Sequence, residues 1–208
     1  MLRGELVYLR PAERADIPIF VRWLSDARTT ENLALRSPLS IALEERWFED
    51  LLDHHGRDRW HFVICLLADG RPVGSLDLHE IDYTNGGAGL GIQVGDPADR
   101  GQGYGGDAIR VLVDFAFERL RLERVWLDVY DGNPDARRLY ERVGFVREAT
   151  FRHGVYRAGQ HEDVHRLAIL RSEWTDRRQA GSWTGRRPAS GPREAHAARA
   201  PSGAGPRP

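Results

Sequence analysis

The chain has 208 residues, which is long enough for one domain with a sizeable core or for one domain followed by a tail. Its apolar and charged fractions, 41% and 29%, are those of a soluble globular protein. The net charge of −1 is unevenly spread, because arginines concentrate after residue 175 and leave the rest acidic. An acidic body favours cationic partners such as amines and argues against nucleic acid.

Two further features concern the compartment. The one cysteine, Cys65, excludes an internal disulfide and is typical of a reducing environment. The first residues contain no apolar leader, and no apolar run approaches the length that spans a membrane. We therefore expect a cytoplasmic protein with no membrane partner.

The first half of the chain alternates between strand and helix patterns. Period-two alternation and short apolar runs predict strands, and apolar residues at helical spacing predict helices. Asp16 and Ser40 occupy positions typical of helix N-caps, and Asp69-Gly70 is typical of a hairpin turn. The predicted order is strand 5–10, helices 16–26 and 41–53, and strands 60–67, 72–81 and 88–94.

The second half begins with a glycine-rich loop that leads into a predicted helix over 107–120. A strand is predicted at 125–130. Asn133-Pro134 is typical of a helix start and Gly144 of its left-handed end, so a helix is predicted between them. Two strands complete the pattern, at 145–157 and 162–170.

This order predicts an α+β fold. Hairpins make the seven strands a mixed, mostly antiparallel sheet, and the helix after the glycine loop makes one crossover, with helices on both faces. We expect one domain over residues 1–174. Residues 175–208 contain little that could be buried and predict a disordered basic tail rich in Pro, Gly and Arg.

The segment Asp99-Arg100-Gly101-Gln102-Gly103-Tyr104-Gly105-Gly106 predicts a binding site for a phosphate or pyrophosphate. Glycine permits positive φ and close approach of backbone N–H groups, and the following helix directs its positive end at the same point. A Walker A loop is excluded because the chain has no lysine. Three interpretations remain: a dinucleotide fingerprint, an acyl-CoA loop of pattern Arg-x-x-Gly-x-Gly, and a connection without a ligand.

A second motif lies further along the chain. Residues 133–145 fit the pattern Asn-x-x-Ala-x-x-x-Tyr-x-x-x-Gly-Phe. Together with the glycine loop, this segment resembles the GNAT superfamily of N-acetyltransferases. Flanking segments at 9–11, 124–129 and 163–167 resemble the branch of the ribosomal-protein-alanine acetyltransferases RimJ and RimL. The resemblance covers roughly residues 3–174 and leaves out the tail.

The resemblance implies acetyl-CoA as the acyl-donor cosubstrate. Amides of the glycine loop would bind its pyrophosphate, and its pantetheine arm would enter a gap between two splayed central strands, 88–94 and 125–130. The implied cofactor-binding residues are Ile92, Val94, Arg100, Gly101, Gln102, Gly103, Tyr104, Gly105, Gly106, Asn133, Ala136, Arg137 and Tyr140.

The resemblance also implies direct transfer of the acetyl group to a primary amine in a ternary complex. Tyr140 would protonate the departing thiolate; the simpler interpretation is a helix aromatic packed on the sheet. A backbone N–H of the splayed strand would stabilise the oxyanion. We find no metal-binding motif in the sequence, and the implied mechanism uses no metal.

The general base is where the sequence departs from the family. Many relatives carry a glutamate in an Ala-Glu-Leu-Gly context, and this chain has Gly89 at that place. Asp77 and His79, on one face of the preceding strand, are the candidate catalytic replacements, and His79 has a suitable ordinary pKa. Glu80, Asp128 and water alone stay open as alternatives, as does a purely structural role for His79.

The expected function is acetyl-CoA-dependent N-acetylation of a protein N-terminus, a polyamine, an aminoglycoside or a similar amine. The alternative is a CoA-binding module with weak or no catalysis, which the missing carboxylate at Gly89 supports. An NAD-binding Rossmann domain is a third interpretation, and the predicted hairpins count against it. We expect a monomer or a homodimer.

Overall fold

A computed structural model describes residues 1–33, 39–157 and 159–184. Within them, eight strands form one sheet in the order β1-β2-β3-β4-β5-β6-β8-β7. The strands are β1 (Leu2–Arg3), β2 (Val7–Pro11), β3 (Trp60–Leu66), β4 (Pro72–Asp82), β5 (Gly87–Val94), β6 (Arg124–Tyr130), β7 (Val146–Arg157) and β8 (Gln160–Leu170). The helices are α1 (Ile17–Leu24), α2 (Ala27–Thr30), α3 (Ile41–His54), α4 (Tyr104–Asp114), α5 (Pro134–Val143) and α6 (Arg171–Gln179).

The sheet confirms the predicted α+β class. Every neighbouring pair is antiparallel except β5 and β6, which are joined through the α4 crossover. The predicted number of seven strands is one too low, because β1 was missed. A two-residue strand carries no periodicity of its own and is defined by its pairing with β2, Leu2 opposite Leu9 and Arg3 opposite Tyr8.

Helices cover both faces of the sheet, as predicted. Successive residues of β3 point to opposite sides: Phe62 and Ile64 belong to the large apolar cluster that includes α4, α5 and α6. Val63 and Cys65 pack on the other side with Phe20 of α1. α3 packs against α1 on that second face. None of the helices in the described residues is long and apolar enough to cross a membrane.

The domain extends beyond the predicted boundary at residue 174. α6 continues to Gln179, and Trp174 and Trp183 are both buried. Their indole N–H groups donate to the same oxygen, Oδ1 of Asp114, at 2.7 and 2.8 Å. The boundary was placed too early because one tryptophan among polar residues gives no sequence pattern. The remainder of the predicted tail, 185–208, lies outside the described residues.

Candidate active site

The central strands β5 and β6 separate along their length. They pair in parallel over three residue pairs only, from Gly87 opposite Arg124 to Gly89 opposite Trp126. β5 then continues to Val94 beside β4, and β6 continues to Tyr130 beside β8. Beyond Gly89 the facing edges are therefore unpaired with each other, and their backbone groups are available to a ligand. This is the splayed pair that the family resemblance implied.

A cavity of about 950 Å³ lies in this gap and reaches the glycine loop. Its volume is in the range of small-molecule and cofactor sites. Its lining includes most of the predicted cofactor-binding residues: Ile92, Val94, Arg100, Gly101, Gly103, Tyr104, Gly105, Gly106, Asn133, Ala136 and Tyr140. We call it the donor cavity.

The glycine loop has the backbone shape that an anion site requires. Gly101 and Gly103 have φ values of 75° and 88°, in the left-handed region that favours glycine. α4 begins directly afterwards, so the N–H groups of its first turn have no intrahelical partner and face the loop. Gly106 allows close packing between α4 and α5, because a Cβ at this position would lie 3.2 Å from Leu139 of α5.

Side chains around the loop hold it in place. Asp99 receives two hydrogen bonds from Arg71, both 2.8 Å, and this guanidinium holds the pKa of the carboxyl below its ordinary value. Arg100 lies on the cavity wall and donates to the carbonyl of Arg28 at 3.0 Å. Arg100 therefore anchors the loop to α2 while its charge remains beside the predicted pyrophosphate position.

α5 brings the second motif to the same cavity. Asn133 caps the helix by accepting a hydrogen bond from the Ala136 N–H at 3.2 Å, and Gly144 ends it with a φ of 125°, both as predicted. Tyr140 is 9% exposed and lies on the cavity wall. Burial raises the pKa of its phenol to about 12, so the hydroxyl stays protonated at neutral pH.

Three predicted site residues are not among the residues that line the donor cavity. Gln102 belongs to the loop but does not line the cavity. Arg137 is directed to Asp131, with a nitrogen–oxygen distance of 3.5 Å. Asp77 faces a different cavity.

That second cavity, of about 760 Å³, lies between α1, α3 and the strands β3–β5. It meets the donor cavity along β4 and β5, where both are lined by His79, Glu80, Gly91, Ile92 and Gln93. Its wall combines aromatic rings with acidic side chains. The carboxylates are Glu44, Asp50, Asp58, Asp77 and Glu80, and the rings include Phe20 and Trp47. We call it the acceptor cavity.

Glu44 is the unusual member of this wall. It is 5% exposed, and within the described residues it has no hydrogen-bond or ion-pair partner. Burial raises the pKa of its carboxyl above the ordinary value. Glu44 was not among the predicted site residues, although it shares a helix face with the buried Phe48 and Leu51, which is a signal in the sequence.

His61 contributes a neutral polar group to the acceptor cavity. Burial lowers the pKa of its imidazole to about 4. Its Nε2 is buried and, among the described residues, has no hydrogen-bond partner. The ring packs edge-on against Trp47, with centroids 4.9 Å apart.

Comparison with known proteins identifies the family. Residues 7–146 match the model of the acetyltransferase (GNAT) domain. The chain belongs to the GNAT acetyltransferases. As in other members of this family, acetyl-CoA is the donor and an amine is the acceptor. The Rossmann interpretation is thereby excluded, and the chain is grouped with enzymes rather than with non-catalytic CoA-binding modules.

This GNAT chain is similar to acetyltransferases with different names. Spermidine N(1)-acetyltransferase of Vibrio cholerae is 30% identical over 171 residues, 81% of this chain and 95% of that protein. YdaF of Bacillus subtilis, named as a candidate ribosomal N-acetyltransferase, is 37% identical over 109 residues, 52% of this chain and 59% of that protein. The crystal structure of the Vibrio cholerae spermidine N-acetyltransferase with CoA and spermine has a TM-score of 0.76 at 27% identity, covering 81% and 98%.

Proposed function

We propose that this GNAT chain acetylates a primary amino group of a polyamine such as spermidine or spermine. The observation that carries the proposal is the acceptor cavity, which opens onto the splayed strands and contains the buried residue Glu44, whose carboxylate has no hydrogen-bond or ion-pair partner among the described residues. A polyamine carries ammonium groups separated by short methylene chains. It therefore requires carboxylates spaced along an apolar wall, which is the composition of this cavity.

The distal ammonium of the acceptor pairs with Glu44 in the proposed complex. An ionised carboxylate buried without a partner costs free energy, and a ligand cation removes that cost. The methylene segments pack on Trp47, whose ring face also attracts cations. The reacting amine then lies near the His79 segment, where the two cavities meet.

The donor cavity presents the thioester to that amine. Amides of the glycine loop and of the first turn of α4 bind the pyrophosphate, and the pantetheine arm pairs with the free edge of β5. Tyr140 donates its phenolic proton to the thiolate as the carbon–sulfur bond breaks. A backbone N–H of β5 stabilises the oxyanion.

An amine panel tests the proposal. Initial rates of CoA release are measured with spermidine, spermine, a monoamine, an aminoglycoside and a peptide with an N-terminal alanine. We expect the highest kcat/KM with a polyamine. A peptide acceptor, which the RimJ/RimL-like segments and the similarity to YdaF favour, is the alternative outcome and would contradict the proposal.

A matched pair of variants tests the role of the cavity. Glu44→Gln should lower kcat/KM for spermidine roughly tenfold, the loss typical of one hydrogen bond to a charged group. The monoamine, which has no distal ammonium, should be affected much less. Glu45→Gln changes the exposed neighbour on α3 and should leave both values unchanged. Equal losses with the monoamine would separate Glu44 from acceptor recognition.

A further inference from the structure

A histidine–carboxylate pair lies at the junction of the two cavities. Asp77 and His79 point to the same face of β4, and Nδ1 of His79 is 3.5 Å from Oδ2 of Asp77. His79 lines both cavities, whereas Asp77 lines only the acceptor cavity. The tautomer that carries its proton on Nδ1, beside this carboxylate, leaves the lone pair of Nε2 free to accept a proton.

Two glycines of β5 make room for this pair. In the sheet register, His79 is opposite Gly89 and Asp77 is opposite Gly91. A Cβ at residue 89 would overlap Nε2 of His79 and would lie 2.7 Å from its Cδ2. A Cβ at residue 91 would lie 2.5 Å from Oδ1 of Asp77. Any side chain at these positions would displace the pair, so the absence of a carboxylate at 89 and the placement of His79 are linked.

The reaction requires a base at this junction. A primary amine is protonated at neutral pH and cannot attack a thioester until it loses that proton. Asp128 accepts hydrogen bonds from Nε and Nη2 of Arg166, at 2.8 Å each, and Glu80 lies exposed at the rim. His79 is half-buried and faces the point where the thioester and the amine meet.

We infer that His79 is the general base of acetyl transfer and that Asp77 positions it. The inference rests on the proposed polyamine acetylation. Nε2 removes one proton from the acceptor ammonium, and the neutral nitrogen bonds to the thioester carbon. As the carbon–sulfur bond breaks, Tyr140 protonates the thiolate, and the second amine proton restores the phenol through solvent. The proton on His79 then leaves to solvent, so the products are the amide, CoA–SH and one H⁺.

The charged groups around His79 set its titration. Asp77 and Glu80 on its own strand raise the pKa of the imidazole above 6.5, and burial and Arg59 oppose them. β5 presents only glycines at this point, and β6 presents the edge of Trp126, at 5.7 Å. Behind that ring lies the Arg166–Asp128 ion pair.

The experiment is the pH dependence of kcat/KM for the polyamine in full-length wild type and variants. Wild type should lose activity as pH falls through the His79 pKa. His79→Gln should lose that acid limb and at least about 100-fold in kcat, the lower range of general-base effects. Asp77→Asn removes the main group that raises the pKa, so its acid limb should move to lower pH. His161→Gln, an exposed histidine on β8, is the control and should match wild type.

A second pair of variants tests the geometry without touching the dyad. Gly89→Ala should displace His79 and lower kcat, with CoA affinity by calorimetry unchanged. Gly87→Ala lies on the same strand, where nothing is within 4 Å of the added carbon, and should behave as wild type.

The outcomes separate the two proposals. Wild type that acetylates no amine would overturn the proposed function and the base with it. An active wild type whose His79→Gln variant keeps the rate and the acid limb would overturn the base alone.

Discussion

The donor and acceptor cavities meet on β5 but differ in the groups that they offer to a ligand. The contacts that the donor cavity is proposed to make are mainly with backbone: the free edge of β5, the left-handed glycines of the loop and the start of α4. The acceptor cavity is mainly side chains, contributed by α1, α3, β3 and β4. A site made of backbone depends on short local motifs, whereas a site made of side chains depends on which distant residues the fold brings together.

The two cavities also have opposite charge preferences. A helix N-terminus and Arg100 favour an anion at the far end of the donor cavity. Carboxylates favour a cation in the acceptor cavity, although Asp50 is paired with Arg59 at 3.2 Å. A diphosphate-bearing donor and an ammonium-bearing acceptor are thus directed to different sides of the same strand, and the junction is where they react.

The largest expected effect concerns Tyr140, the side chain of the donor cavity to which we assign a chemical role. Tyr140→Phe should lower kcat on the order of 100-fold or more, because the thiolate loses its proton donor. CoA affinity by calorimetry should stay the same. Tyr156→Phe, an exposed residue of β7, is the control. Unchanged turnover in Tyr140→Phe would reduce this tyrosine to a packing residue.

The next effect tests whether the donor cavity is a backbone site. Gly103→Ala should weaken CoA binding roughly tenfold, because a left-handed alanine costs about 1–2 kcal/mol and the loop relaxes away from its anion-binding shape. Gly181→Ala is the matched control, with a φ of 67° and nothing within 4 Å of the added carbon. It should lose similar stability and keep wild-type CoA affinity. Equal affinity losses in both variants would contradict the assignment of the loop.

The smallest effect concerns stability on the acceptor side. Burial raises the folded-state pKa of Glu44, so ionising it costs folding free energy as pH rises above its unfolded value near 4.5. Glu44→Gln removes this cost. Its Tm should exceed that of wild type by roughly 2–4 °C at pH 8, the shift that about 1 kcal/mol gives in a domain of this size.

This gain in Tm should shrink toward pH 4, where the wild-type carboxyl is mostly neutral in both the folded and the unfolded state. Added spermidine should also reduce the difference in Tm between Glu44→Gln and wild type, because only the wild-type carboxylate gains an ion-pair partner. Calorimetric melting curves of wild type, Glu44→Gln and Glu45→Gln measure the difference. A gain that does not vary with pH would rule out the buried charge as its cause.

The boundaries of individual elements show where sequence reasoning works. The start and end of α5 were predicted correctly because Asn133, Pro134 and Gly144 act through local backbone geometry. The end of the domain was not predicted correctly, because Trp183 becomes a core residue only through its contact with Asp114, which is distant in sequence. β1 was missed for the same reason, since its pairing partner decides that it is a strand.

The sequence by itself determined the fold class, the glycine loop and the capped α5, because these depend on φ preferences, capping and periodicity, which act over a few neighbouring residues. The splay of β5 and β6 was implied by the family resemblance. Only the tertiary structure decided that Glu44 is buried at a cavity wall and that His79 lies over Gly89. Burial and cross-strand contact are properties of the assembled sheet and helices, and no local pattern contains them.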